Sequence, residues 1–500
     1  MWILIGIGVL LALIFLYDIL QRRLPILHNF PIIGHLRYWL ITIGPEMRQY
    51  LVASNREERP FNRSHRDWVD RSAKGEDNYF GFGTDAKINT EGYIIIKNAA
   101  VPYGQTDYVS YIGSSDDENV SLPCAKVIGE YHQRRRPYHP PSIINVSGMS
   151  YGALNRRAVT AMNLGAQLAQ CYQNTGEGGF SPYHAHGADV ILQMGTAKFG
   201  FRFPDNSLDD KRLVELVQKH SFIRAIEIKM SQGAKPALGG VLPASKVTEE
   251  IAAIREIPAG KTCISPNHHT EFSTPAELVT FAERVADATG LPVGIKVAIG
   301  KMDFFSELAS EMKRTDKGID FITIDGGEGG TGAAPLVFAD HVALPFLDAF
   351  ASLYRIFQKT GLTDRIVFIG SGRLGLPHRA ACAMAMGCDM INVAREAMLS
   401  IGCIQAQKCH TNTCPSGVAT HKKWLERALH VPLQSQRLRR YIETTRNDVA
   451  ALAHSAGHPH PCQFSMEDVA IGTGEHSYRS LKDIYGYEKD FVPFKGLRPS

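Results

Sequence analysis

Between residues 141 and 430, short apolar runs alternate with longer amphipathic ones, and this alternation limits the possible folds more than any other feature of the chain. Strand-like runs occur at Ile143 to Val146, Ala225 to Met230, Thr262 to Ser265, Val293 to Ile299, Phe321 to Asp325, Arg365 to Ile369 and Met390 to Ala394. Helical spacing fills Leu154 to Gln170, Pro275 to Ala288, Phe304 to Arg314, Leu344 to Thr360 and Pro377 to Met386. Apolar strands separated by helices build a parallel α/β sheet, and a run of this length predicts a closed (β/α)8 TIM barrel. An open, doubly wound sheet is the alternative.

In such a barrel, reactive groups collect where strands end. After the first strand, Ser147 to Gly152 is a run of small residues holding Met149 and Ser150, suited to close approach by a planar ring. Gly370, Gly372 and Arg373 follow the seventh strand, and Ala394 and Arg395 the eighth; these two loops commonly hold a phosphate. Lys296 lies within an apolar strand, where a buried ammonium needs an anion. Lys229 and Lys235 flank Gln232-Gly233, and Glu177 is the one charge in the loop Gly176 to Gly179. The glycine-rich stretch Asp325 to Gly332 follows the run that begins at Phe321.

Cys403, Cys409 and Cys414 are spaced C-x5-C-x4-C. Three thiolates fall one short of a zinc site or a four-iron cubane, and they suit a three-iron cluster with one empty corner. Nine cysteines, an odd number with three clustered, indicate a reducing compartment, and the other six read as buried small residues.

The run CHTNTCP followed by GVAT resembles the cluster loop of glutamate synthases. NTGEGG (Asn174 to Gly179), QGAKP (Gln232 to Pro236), ISP with HH (Ile264 to His269) and GGTGAAP (Gly329 to Pro335) occur in that family's order. The resemblance covers roughly residues 140 to 430. It implies FMN as the phosphate-bearing cofactor, with Lys296 beside the flavin, and a 3Fe-4S cluster on the three cysteines. It also implies formation of L-glutamate from 2-oxoglutarate through 2-iminoglutarate, with Lys229 and Lys235 holding carboxylates, Gln232 between them and Glu177 at the imine nitrogen. Electrons would come from a separate reductase subunit or ferredoxin. The chain departs from the family at Val241, where a glutamine follows the glycine pair, and it lacks the glutaminase half, so free ammonia or a delivered amine is expected. Formation of an N-methylglutamate-type product, and an electron-relay subunit without its own substrate, are the alternatives.

A formal charge of +4 over 500 residues gives nucleic-acid binding little support, and Arg134-Arg135-Arg136 reads as a solvated loop face. Trp2 to Tyr17, extended to Leu20, is long and apolar enough for a single-pass transmembrane anchor (residues 1–21). Arg22-Arg23 behind it place the catalytic part in the cytoplasm. Residues 25 to 50 read as interfacial, with Tyr38 and Trp39 at headgroup level. The expected organisation is completed by an N-terminal extension (22–140) with a β-like run at Tyr93 to Ile96, the barrel (141–430) and a C-terminal helical extension (431–500).

Overall fold

A computed structural model describes residues 1–21, 24–103, 122–474 and 476–493, which form two compact units, Met1–Asp67 and Trp68–Ser500. In the larger unit, eight parallel strands close into a barrel in chain order. They are β1 Ile144–Val146, β2 Gln173–Asn174, β3 Val190–Met194, β4 Ile223–Lys229, β5 Val293–Val297, β6 Phe321–Asp325, β7 Val367–Ser371 and β8 Met390–Val393. The expected barrel is present, with one strand misassigned. Cys263–Ile264 pairs antiparallel with Val241–Leu242 in a hairpin between β4 and β5, outside the barrel. A four-residue apolar run cannot distinguish the two placements. Two strands absent from the sequence reading complete the ring: β2, whose polar Gln173 and Asn174 carry no apolar signal, and β3, the short run Val190–Met194.

The surrounding helices have legible ends. Pro275–Thr289 begins with a capping box between Thr274 and Glu277, has proline in its first turn, and stops at Gly290 with φ +77°. The ring continues past residue 430. Val431–Ser455 packs against Arg156–Leu168 and Pro377–Met386, and so takes the place of the helix after β8. Gly165 permits this contact, since a Cβ there would lie 2.8 Å from the Ser435 carbonyl. The sequence-based boundary at 430 therefore falls inside the barrel, because a long loop separates β8 from its helix.

Side chains alternate across each strand, so inward residues fall into layers. On β4 they are Ala225, Glu227 and Lys229. Ala225 joins Ile191, Phe321, Val367, Ile369 and Met390 in an apolar layer closed from below by Cys124, Ile128 and Tyr138. Above it the buried Glu227 carboxylate accepts from Asn174 (2.7 Å), Gln193 (2.6 Å) and Thr323 (2.6 Å). Lys229 belongs to the uppermost layer, described below.

Outside the barrel, Arg134 is buried rather than solvated, correcting the reading of the arginine triplet. Its guanidinium meets Glu283 at 2.7 Å and Asp320 at 3.0 Å and donates to the Gly318 carbonyl. The run near Tyr93 is a strand, Ile94–Ile96, but it pairs antiparallel with Val469–Gly474, which pairs with Ser477–Ser480. The segments before and after the barrel thus share one sheet. All six cysteines outside the C-x5-C-x4-C loop are buried, as expected.

In the smaller unit, Trp2–Leu20 is the one helix, among the described residues, long and apolar enough to cross a membrane. Its Asp18 is buried and accepts from the Ile32 N–H (2.9 Å) and from His35 Nε2 (2.9 Å). Gly34–Met47 follows as a helix with Trp39 exposed. The Arg22-Arg23 pair, on which the expected orientation rests, lies outside the described residues.

Barrel closure depends on Gly294, where any Cβ would enter the Phe321 ring. Gly294→Ala should cost about 1–3 kcal/mol by overpacking, seen as a lower melting temperature. Gly300→Ala, with nothing within 4 Å, should leave the melt unchanged.

Candidate active site

At the C-terminal ends of β4 and β5, Lys229 and Lys296 stand opposite each other in register, both buried. Two ammonium groups this close in a dry site require counter-charges. Glu177, in the loop after β2, meets Lys229 at 2.7 Å, and Asp325, at the end of β6, meets Lys296 at 3.2 Å. Lys229 also donates to the Gln232 side chain. Burial pulls Lys229 down to about 8, with Glu177 opposing and Lys296 adding to the fall. Burial would raise Glu177, yet Lys229 and Lys235 hold it down at about 2. For Lys296, burial lowers the pKa, but Asp325 and Glu227 outweigh it and leave it raised.

Lys235 is buried beyond β4, and its ammonium makes no hydrogen bond or ion pair among the described residues. Arg255, which the sequence reading missed, reaches the same region from the helix Glu249–Arg255. Its guanidinium donates to the Tyr151 carbonyl (3.0 Å) and lies 3.5 Å from Ser150 Oγ, while its buried Nε has no hydrogen-bond partner among the described residues. Burial lowers its pKa. A surplus of buried cations in one region is suited to a small anion with two carboxylates. No periodicity marks Arg255, since it lies in the excursion between β4 and β5.

The loops fit together through glycines. A Cβ on Gly176 would crowd the Met149-Ser150 backbone, one on Gly240 would lie 2.7 Å from Glu177 Oε1, and one on Gly233 would overlap the Gly326 carbonyl. The Gly233 N–H donates to Asp325 (3.0 Å), and Gln232 Nε2 to the Gly330 carbonyl (3.4 Å). Thus the glycine-rich loop after β6 lies against Gln232-Gly233. Val241, where the family glutamine is missing, is partly exposed on the hairpin next to Gly240.

Beyond β7 and β8, Gly370 and Ser371 end one strand and Ala394 caps the helix Arg395–Ser400. Arg373, with φ +61°, Arg379 and Arg395 gather there. Burial, then Arg379 and Arg395, bring Arg373 down to about 10, and the buried Arg379 Nε has no hydrogen-bond partner among the described residues. Gly330 leaves room for the Arg395 side chain, which donates to the Glu328 carbonyl (2.5 Å). Three guanidiniums around glycine turns at this end of a barrel are chemically suited to a phosphate. Arg379 joins the expected Arg373 and Arg395; one turn into a helix, it gave no sequence signal.

The cysteine loop is tied to the segment after β1. Asn155 donates to the carbonyls of Gly417 and Thr420, His421 Nε2 to that of Gly152 (2.8 Å), and Lys246 to Ala153 (2.5 Å) and Cys409 (3.2 Å). Burial, together with the neighbouring thiols, raises Cys403 to about 12. Among the described residues, no three His, Cys, Asp or Glu groups lie close enough to share one metal ion.

Comparison with known proteins places residues 114–459 within the family model described as the conserved region in glutamate synthase. The chain is 39% identical to the glutamate synthase large subunit-like protein YerD of Bacillus subtilis (strain 168), over 95% of each chain. It is 33% identical to the archaeal glutamate synthase [NADPH] of Methanocaldococcus jannaschii, over 63% of this chain and 59% of that one. With ferredoxin-dependent glutamate synthase 2 of Synechocystis it shares 30% identity, over 68% of this chain and 21% of the longer protein.

Lys229 should make anion binding pH-dependent. With its pKa lowered to about 8, the ammonium is lost as pH rises through 8, and calorimetry between pH 7 and 9.5 should show dicarboxylate affinity falling. Glu177→Gln should move that inflection lower, because Glu177 supports the charge on Lys229. Lys229→Met should abolish the inflection and weaken binding by roughly 10- to 100-fold, the cost of one charge-assisted hydrogen bond.

Proposed function

The chain belongs to the glutamate synthase family, and from that premise we propose that it is an FMN-dependent oxidoreductase converting 2-oxoglutarate and ammonia, through 2-iminoglutarate, to L-glutamate. The observation that carries this reading is the buried group of Lys229, Lys235 and Arg255 around Glu177, a cation surplus matched to a dicarboxylate.

FMN would lie against the Met149-Ser150 loop and Lys296, with its phosphate on Arg373, Arg379 and Arg395, and when bound it supplies the hydride for imine reduction. Lys229, Lys235 and Arg255 supply the positive charge that holds the substrate carboxylates. Glu177, ionised beside Lys229, orients the nitrogen, and the Lys229 ammonium holds a proton for it. Lys296, kept charged by Asp325, offsets negative charge at the ring edge. Condensation releases water, and hydride plus proton complete the amine.

For the three cysteines we propose a 3Fe-4S cluster. Thiolates on one ion must sit about 4 Å apart, whereas thiolates on separate irons need not, so the lack of a single-ion site does not bear against a cluster. A separate protein would deliver the electrons. The helix Trp2–Leu20 would anchor the enzyme in a membrane with its catalytic unit in the cytoplasm.

Val241 beside Gly240 favours one further reading, a different amine, since the family's polar side chain is absent next to the loop that packs on Glu177. Anaerobic titration of reduced enzyme with 2-oxoglutarate plus ammonium, or plus methylamine, separates the two. Flavin reoxidation with ammonium and glutamate formation are expected; reoxidation with methylamine alone would assign the other amine, and none with either would reject both. Cys409→Ser should lose iron while retaining flavin, read by iron assay and absorbance. Deleting residues 1–20 should release the protein from membranes, and a truncated form that still pellets after a high-salt wash would refute the anchor.

A further inference from the structure

Glu177 and Asp325 each meet a lysine, whereas the three side chains that hydrogen-bond the buried Glu227 carboxylate are all neutral. The Gly176 N–H donates to Asn174 Oδ1 (2.9 Å) and so turns Asn174 Nδ2 toward Glu227. Gln193 Nε2 reaches the same carboxylate oxygen, and the Thr323 hydroxyl reaches the other. Three donors around one carboxyl group are the set that an ionised carboxylate needs. A negative charge is thus fixed inside the barrel with no cation bonded to it.

Its position ties it to the layer above. Glu227 pairs with Gly294 two residues below the Lys229–Lys296 pair, and Thr323 is the register partner of Lys296 on β6. Residues in register present the same face, so the Thr323 side chain stands beside Lys296 while touching Glu227. From another side, a Cβ on Gly148 would lie 2.8 Å from Asn174 Oδ1 and 2.9 Å from Gln193 Nε2. The backbone leading into Met149 and Ser150 therefore rests on the two amides that hold Glu227. One side chain separates the carboxylate from Lys296, and one from the loop against which FMN is proposed to lie.

Two-electron reduction of a flavin with uptake of one proton at N5 leaves a negative charge on the ring. Lys229, Lys235, Lys296 and Arg255 outnumber Glu177 and Asp325 in this region and favour that charge. A reduced ring held too well is a weak hydride donor, and a buried carboxylate nearby opposes the excess. We propose that Glu227 is a positioning residue for hydride transfer: its fixed negative charge lowers the reduction potential of the flavin and so strengthens the flavin as a hydride donor. This rests on the proposed function in taking FMN to lie beside Met149-Ser150 and Lys296.

The test uses the full-length holoenzyme without oxygen, with the flavin midpoint potential read against a reference dye. Glu227→Gln keeps the shape, since its carbonyl can accept from Asn174 and Gln193 while its amide donates to Thr323. Asp325 still pairs with Lys296, so one negative charge is lost and the cation stays. The potential should become more positive, and reoxidation of the reduced flavin by 2-oxoglutarate plus ammonium should slow roughly tenfold. Thr323→Val leaves Glu227 in place with one donor fewer and should shift the potential the same way by less. A purely structural role would lower the melting temperature and leave the potential unmoved. An unchanged or more negative potential in Glu227→Gln would overturn the proposal, and if that variant does not fold, Thr323→Val decides by the same sign. Wild type that binds no flavin would overturn both the FMN placement and the role of Glu227. If flavin binds but no glutamate forms, the proposed reaction fails while the comparison of potentials still decides Glu227.

Discussion

Two buried ammonium groups opposite each other on neighbouring strands would be costly alone, and the upper part of this barrel is arranged around that fact. Lys229 and Lys296 are in register because β4 and β5 pair residue for residue, and each is balanced by a carboxylate from a different loop. The balance is incomplete, because Lys235 and Arg255 add positive charge to the same region. A site with more buried cations than carboxylates is poised for an anionic ligand.

The carboxylates are themselves positioned by backbone. Asp325 pairs with Lys296 and also accepts from the Gly233 N–H, so the β6 loop is fixed to the β4 loop through the ion pair's own counter-charge. Gly233 and Gly326 approach too closely for any side chain between them. Likewise Gly240 and Gly195 pack on Glu177. The glycines thus bring charged side chains together by removing bulk where loops cross. Below them, Glu227 is satisfied by three donors from three strands, which lets a carboxylate sit inside the barrel and adds to the field that keeps Lys296 charged.

The cysteine loop follows the same logic at one remove. It comes between β8 and the helix that completes the ring, and it is fastened to the segment after β1 as well as within itself. Lys246, from the excursion between β4 and β5, bridges the two. Three parts of the chain therefore meet beside the segment that follows Met149 and Ser150.

Much of this could be read in the sequence. The strand and helix alternation, the lysines in or near apolar strands, the glycine turns after β7 and β8 and the cysteine spacing all depend on local pattern, because period and spacing record which face a residue presents. Arg134, Glu227, Lys246, Arg255 and Arg379 were not legible in their roles. A lone charge in an apolar run or a surface-like helix looks the same whether it faces solvent or a partner far along the chain. Arg134 looked solvated until Asp320 and Glu283 were brought beside it. The sequence by itself determined the barrel and the loops that carry chemistry, through local periodicity. Only the tertiary structure decided which charges are paired and which are left in surplus, because burial and counter-charge come from contacts between segments that local pattern does not encode.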